Sequence, residues 1–435
     1  MPTIQAVAAV KKGQIIALIF VILAAFAAIF PILFTVAGSF MSGEEIVSRY
    51  TAEITEANQG DFTSSGIHFV RFGLIPEQPT LTQYKELLMD SPDYLRMFWN
   101  SVILVVPVLL GQCILAPLAA FGLENIRWKY KEAIYFTYII VMLMPTQLLL
   151  VPNFIVAGWL HIRESYLAII LPAMFHPLGL FLVRQQLKNF PKECLEAAQL
   201  DGAGAYQAYR YVVRPNLTSV VAALAVLLFA DNWNIVDQAV VFLKNTFDNP
   251  LSVYLGEVVT GDPGMFFAVS VFYLIPALLV FLLGQDYLTE GIALSGVKAE
   301  RKGEEEMAKT RKIRRILVLC AGVLYLLVVV GATVYSQTGY VQNLPVVTLG
   351  QAENGSVPES IAAQGMDGPI LYSVAQADGP WGKRYLLRQV PSYTYMARED
   401  GTIWIYDASA LENPLVFSAS IPLETAYDGM EVRLG

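Results

Sequence analysis

The residues best placed to do chemistry in this sequence are carboxylates set against apolar neighbours. Asp231 and Asp237 lie in or at the end of a long apolar stretch, where an ionisable side chain is a functional candidate by default. A position at the outer interface, or pairing inside a helical bundle, explains them equally well. A second feature is Glu196-Ala197-Ala198-Gln199-Leu200-Asp201-Gly202-Ala203, followed by Pro215. It is polar and sharply punctuated, and it lies between two apolar stretches with basic residues on both sides. Covalent chemistry finds no such support. No Gly-x-x-x-x-Gly-Lys-Ser/Thr phosphate loop is present, and Gly382-Lys383 lacks both the upstream spacing and the hydroxyl. The three histidines are far apart, so no metal site is visible. Cys113 and Cys320 sit in apolar segments and Cys194 in a basic loop, which gives no disulfide framework.

The elements that must position these residues belong in a bilayer. The chain has 435 residues, 55% of them hydrophobic and 15% charged, with mean hydropathy +0.50. That is too much apolar surface for a soluble globule of this size. Apolar stretches of roughly 20 residues, the length that crosses a hydrocarbon core about 30 Å thick, recur along it. The net charge of −8 resides in loops and in a C-terminal tail and carries no implication of nucleic-acid binding.

In order, Lys11 and Lys12 precede an uncharged run from Gln14 to Phe40, read as an uncleaved first span. Residues 41–97 hold nine Asp/Glu against four Lys/Arg and form an acidic loop placed outside. The second span runs from about Phe98 to Leu123 and ends at the basic turn Arg127, Lys129, Lys131. The third, about Ala133 to Ala157, contains Pro145 and Pro152; the fourth, about Tyr166 to Val183, contains Pro172 and Pro177. Proline in a span frees backbone carbonyls, which neighbouring helices or a water-filled path must satisfy. Residues Arg184 to Arg214 read as a polar loop with five Lys/Arg. The fifth span covers about Leu217 to Leu243 and the sixth about Met265 to Gln285. The distribution of basic residues puts both ends of this six-span unit in the cytoplasm.

Residues 301–315 then read as a basic, solvated cytoplasmic linker, and Ile316 to about Tyr335 as an additional span. If this segment crosses, residues 337–435 are outside. Short aromatic and β-branched runs there (Ile370–Val374, Tyr385–Val390, Thr402–Tyr406), with the hairpin signal Asp400-Gly401, predict a small β domain.

Within the polar loop, Pro191 with Lys192-Glu193 predicts a helix start, and Asp201-Gly202 a stop, because glycine adopts the left-handed conformation that closes a helix. A second short helix, about Ala205 to Val213, is expected to end before Pro215. Two short helices meeting at a glycine make a compact knob.

This knob resembles the cytoplasmic coupling loop of binding-protein-dependent ABC transporter permeases, in particular the sugar permease subunit of the maltose-type systems. Other stretches share the resemblance: Phe98-Trp99-Asn100-Ser101 opening the second span, Met144-Pro145-Thr146-Gln147 and Leu148 to Pro152 in the third, and Tyr166-Leu167 with Leu171-Pro172 in the fourth. So do Leu182-Val183-Arg184-Gln185 with Phe190-Pro191-Lys192-Glu193 before the loop, Trp233-Asn234 in the fifth span, and Gly291 to Lys298 at the end. About residues 10–300 are covered. The resemblance implies an all-α polytopic membrane protein: a six-span permease bundle (1–300, coupling loop 188–215), plus the seventh C-terminal span and the extracytoplasmic β domain.

It further implies that Glu196, Ala197, Ala198, Asp201, Gly202 and Ala203 form the docking knob for a cytoplasmic ATPase, with Pro215 fixing the start of span five. Gln147, Asp231, Asn232, Trp233 and Asn234 become candidates for the translocation path, and no residue is assigned a catalytic or metal-binding role. The expected partners are a second permease subunit, two ABC ATPase subunits that carry the ATP and Mg²⁺, an extracytoplasmic solute-binding protein and the lipid of a bacterial cell membrane. The chain itself would bind no cofactor.

Asn125, Ile235, Asp286 and Glu290 depart from the family's usual residues, and 301–435 lies outside the family. Val346 to Val357, Gly379 to Arg384 and Asp428 to Val432 resemble segments of membrane-fusion efflux adaptors, although the middle of such an adaptor is missing. The sequence thus predicts the permease subunit of a carbohydrate importer. It leaves open a non-transporting receptor that uses the bundle as a platform for its tail, or an efflux component.

Overall fold

A computed structural model of the chain describes residues 12–50, 73–126, 128–257, 263–293, 304–350, 356–365, 368–379, 382–398, 401–406 and 413–435. Arg127, Asp400, residues 294–303 of the linker region and most of the acidic loop (51–72) lie outside the described residues. The chain divides into two compact units: Met1–Leu87 with Met97–Tyr325, and Leu88–Arg96 with Leu326–Gly435.

The first unit is helical. It begins with α1 (Lys12–Gly38), whose side chains Leu18, Phe20 and Leu23 are exposed along a helix without polar partners, as lipid contact demands. After α2 (Gly43–Tyr50) and α3 (Thr82–Lys85) comes α4 (Pro92–Asn125), then α5 (Lys131–Met142) and α6 (Thr146–Trp159). The third apolar stretch, expected as one continuous helix, is broken between α5 and α6 by a bend of 109°. Pro145 is the cause: it cannot donate to the preceding turn, and it starts the next helix as its N-cap. Neither half, at 12 and 14 residues, reaches the roughly 20 residues a straight crossing requires.

Next come α7 (Leu167–Met174) and α8 (Pro177–Lys188). Pro177 deprives the carbonyl of Ala173 of its helical donor, and Gln112 of α4, itself buried, donates from Nε2 to Ala173 O at 3.1 Å and to His176 O at 2.9 Å. This neighbour repair makes a proline tolerable in an apolar span. Close contact of α4 and α8 at Gly179 permits it, since a Cβ there would lie 2.2 Å from Gln112 Oε1.

The helices α9 (Lys192–Leu200), α10 (Ala205–Ala208) and α11 (Arg214–Asn216) lead into α12 (Thr218–Trp233). The helical path does not stop before Pro215 as expected. A wide turn, Tyr209–Val213, precedes it and accommodates the proline ring, and the 69° bend falls at Leu217. Then follow α13 (Asp237–Phe242), α14 (Leu251–Glu257), α15 (Pro263–Ala293) and α16 (Glu304–Tyr335). Among the described residues, five helices are long and apolar enough to cross a membrane, or seven segments if each bent pair counts once.

Buried Asn100 and Ser101 show why the second span opens with polar residues. Asn100 Nδ2 donates to Phe247 O (2.7 Å) and Asn249 O (3.1 Å), and Ser101 Oγ accepts from Leu251 N (3.0 Å), which fixes the loop ahead of α14.

The stretch expected as a solvated linker is helical from Glu304 onward and continues unbroken into α16. Arg314 Nη2 lies 2.6 Å and Arg315 Nη2 3.3 Å from Asp286 Oδ2 on α15. Farther along, Tyr325 OH donates to Phe272 O at 3.1 Å. Because 314 pairs with 286 and 325 with 272, α16 runs antiparallel to α15. Asp286, which departs from the residue type usual at its position in the family it resembles, has its partners in the helix that the family lacks.

The second unit carries the β structure. After α17 (Val341–Asn343), strands β1 (Val346–Gly350), β5 (Tyr372–Gly379), β6 (Gly382–Gln389), β9 (Leu415–Ala419) and β10 (Glu431–Leu434) close a barrel in the order β1-β10-β6-β5-β9. Strands β2 (Ser356–Pro358), β7 (Tyr395–Ala397) and β8 (Thr402–Ile405) form a separate sheet, and β3 (Ala363–Gly365) pairs with β4 (Gly368–Ile370). The expected hairpin is β7–β8, with Gly401 at φ +76° in its turn. Val357, Ile361, Leu371, Ile403, Ile405 and Leu415 supply one core; Val347, Val374, Leu387, Val416 and Val432 another.

Candidate functional site

The knob forms as its residues dictate. Pro191 caps α9 in an extended conformation (φ −60°, ψ 120°) and Glu193 lies in the first turn. Gly202 takes φ +81°. This lets Ala203 N reach Ala198 O at 2.9 Å and Gly202 N reach Gln199 O at 3.0 Å, the paired bonds of a glycine-terminated helix. Gln207 then accepts from Gly204 N at 2.9 Å, tying down the start of α10.

Only one side of α9 packs. Leu195 joins a core of Val183, Leu187, Val213, Leu217 and Leu224, and Ala198, one turn on, is half-buried beside it. Glu196, Ala197 and Asp201 face outward, and Leu200 is 90% exposed. The structure thus brings Glu196, Ala197, Ala198, Asp201, Gly202 and Ala203 into one projecting surface. Pro215 stands apart from it, exposed, two residues before the bend into α12 at Leu217.

Beneath the knob lies a residue that sequence reasoning misplaced. Arg184, read as part of a solvated basic loop, is fully buried in the last turns of α8. Its Nη2 lies 2.5 Å from Glu132 Oε1 at the start of α5, and its Nε 3.3 Å from Glu124 Oε2 at the end of α4. The guanidinium sits 3.9 Å from the centre of the Tyr135 ring. The signal was present: Leu180, Arg184 and Leu187 fall at helical spacing on one stripe of α8, and two acidic residues flank the turn that the stripe approaches.

At the other end of α12 is a polar cleft of about 190 Å³, lined by Thr146, Leu150, Asp231, Asn232, Asn234, Ile235, Val236, Asp237 and Gln238. Gln147 Nε2 donates to Asp237 Oδ2 at 3.0 Å, linking α6 to α13 across its edge. Asn232 and Asn234 turn their Nδ2 groups back onto Leu228 O and Ala230 O, at 2.8 Å each, and their side chains stay on the helix. Of the path candidates, Asp231, Asn232 and Asn234 line the cleft and Gln147 borders it. Trp233 does not reach it; its ring is 2% exposed, among Phe98, Phe229 and Tyr273.

Broken apolar helices around a cleft that carries two aspartates, with an exposed knob at the opposite end of one of them, make a polytopic membrane protein. Residues 93–293 match the family described as binding-protein-dependent transport system inner membrane component, so the helical unit carries a permease domain of that family. The chain is a transport component and not an enzyme. It is 24% identical over 277 residues (63% of this chain, 92% of the relative) to the arabinooligosaccharides transport system permease protein AraQ of Halalkalibacterium halodurans. It is 27% identical over 209 residues (47% and 76%) to the lactose transport system permease protein LacG of Rhizobium radiobacter. It is 24% identical over 241 residues (53% and 86%) to the sn-glycerol-3-phosphate transport system permease protein UgpE of Brucella abortus. The fold is similar to that in a crystal structure of a bacterial ABC transporter involved in the import of the acidic polysaccharide alginate, with TM-score 0.53 and 20% identity over 66% of this chain and 99% of that one.

Proposed function

We propose that the chain is one of two membrane-spanning subunits of an ATP-driven importer for a carbohydrate. The observation that carries this reading is the α9 knob, with Leu200 exposed at its tip and Glu196 on its outer face. Two cytoplasmic ATPase subunits holding ATP and Mg²⁺ would dock there, a second permease subunit would complete the path, and a solute-binding protein would deliver cargo from outside. In this reading seven segments cross the bilayer of the bacterial cell membrane, the N-terminus is cytoplasmic, and residues 337–435 are extracytoplasmic. The receptor alternative is not favoured, because the relatives are transport permeases.

The cleft refines the cargo. Asp231 and Asp237 line it, and among the described residues its lining holds no Lys, Arg or His, so an anionic saccharide would meet like charge there. An uncharged oligosaccharide, of the kind named for the arabinooligosaccharide and lactose relatives, fits better than an acidic one. Proteoliposomes holding this chain, its cognate second permease and ATPases, and its binding protein should take up radiolabelled arabinotriose or lactose on addition of ATP. Uptake of an oligouronate in preference to both would overturn the cargo assignment, and absence of ATPase binding to the complex would overturn the importer reading.

A further inference from the structure

We propose that Arg184 is the positioning residue that makes α8 a rigid strut between the knob and the spans, so that displacement of α9 moves α4 and α5 and is not absorbed in the loop. This inference rests on the reading of α9 as an ATPase-docking surface.

Three observations support it. First, α8 is the element from which the knob hangs: only Asn189, Phe190 and Pro191 separate Lys188 from α9. Second, α8 meets two sets of partners. Val183 and Leu187 pack with Leu195, Val213 and Leu217, the underside of the knob and the start of α12. Arg184, within a turn of both, reaches Glu124 and Glu132. Third, one planar cation serves two carboxylates on two helices, which a shorter or non-planar cation cannot reproduce. Its cation–π contact with Tyr135 at 3.9 Å holds the guanidinium plane in place.

The apolar contacts alone can slide, since they carry no directional bonds. The guanidinium converts the α4–α5–α8 contact into a fixed joint. The arrangement is also incompletely satisfied: Arg184 Nη1 is buried and lacks a hydrogen-bond partner. An unused donor on a buried charge is costly to keep, so the two carboxylate bonds that are made hold the guanidinium in this one seat.

The test uses the assembled complex in proteoliposomes with Cys113→Ser and Cys320→Ser, leaving Cys194, exposed on α9, as the cross-linking site for the ATPase. A reporter cysteine, Asn232→Cys in the cleft, is labelled with a maleimide with and without ATP and vanadate. Docking is read from the Cys194 cross-link, hydrolysis from phosphate release, and transmission from the nucleotide-driven change in labelling. With Arg184→Ala, cross-link and hydrolysis are expected to stay within twofold of the parent while a tenfold labelling change collapses below twofold. Arg184→Lys, which keeps the charge but not the fork, should fall between. Glu132→Gln, on a side chain 61% exposed that folding tolerates losing, should also reduce transmission and keeps the test open should Arg184→Ala misfold. A labelling change that persists in all three variants overturns the inference, as does a parallel fall of all three readouts, which marks a merely structural role. A parent with no Cys194 cross-link refutes the docking reading itself, and the Arg184 inference with it.

Discussion

Trp233 and Tyr273 hold each other from both ends. Trp233 Nε1 donates to Tyr273 O at 3.2 Å, Tyr273 OH donates to Trp233 O at 2.5 Å, and their rings stack with centroids 5.4 Å apart. The pair welds the C-terminal end of α12 to α15 beside the cleft. Trp233→Ala removes a buried aromatic and the Nε1 bond, while the backbone carbonyl that accepts from Tyr273 stays, so it should destabilise the protein by about 3–5 kcal/mol. Trp233→Phe, which keeps most of the ring, should cost less than half of that. Thermal unfolding in detergent, followed by fluorescence-detected size exclusion, reads the difference; equal losses would mean that packing plays little part.

Gly202 has open space around a would-be Cβ, and only its backbone conformation resists substitution. Gly202→Ala should therefore cost about 1–2 kcal/mol locally, loosening the end of α9 without touching the bundle. Gly202→Pro and Glu196→Lys are expected to abolish capture of the ATPase subunits while leaving the elution profile of the membrane subunit unchanged. Full retention of capture in both would sink the docking surface.

Asp286 is the shared anion for Arg314 and Arg315, with Arg311 Nε at 3.9 Å. The arginines are partly exposed, and solvent screens the cluster, so Asp286→Asn should lower stability by about 1–2 kcal/mol rather than by the larger amount of a buried pair. Removal of residues 301–435 should shrink the effect of the same substitution, because Arg311, Arg314 and Arg315 are then gone. An Asp286→Asn effect of equal size in both forms of the chain would disprove the pairing.

In the second unit, Ile403 is fully buried between β2 and β7. Ile403→Ala should cost about 2–5 kcal/mol, visible as a lower urea midpoint of residues 344–435 followed by far-UV circular dichroism. A midpoint unchanged within error would contradict the core assignment.

Local signals made the knob legible: a proline start, a glycine stop and good helix formers between them settle a short helix without tertiary help. The β7–β8 hairpin was equally readable from Asp400-Gly401. The break in the third apolar stretch was harder to foresee, since Pro145 predicts a kink but not its size, which depends on what α6 packs against. Arg184 was misread because a charge next to a basic loop looks solvated until Glu124 and Glu132, more than 50 residues away, are brought to it. Trp233 reads as a path residue in the sequence because it stands between Asn232 and Asn234, yet successive helical residues point about 100° apart.

The ion pair between α15 and α16 also carries a schedule. Asp286 and Arg314 are 28 residues apart, and at a synthesis rate of 5–20 residues per second the ribosome needs about 1 to 6 seconds to supply the second after the first. During that interval the sixth span exists without the arginines that the appended helix brings to its end. The joint between α15 and α16 therefore closes only after the appended helix has been made.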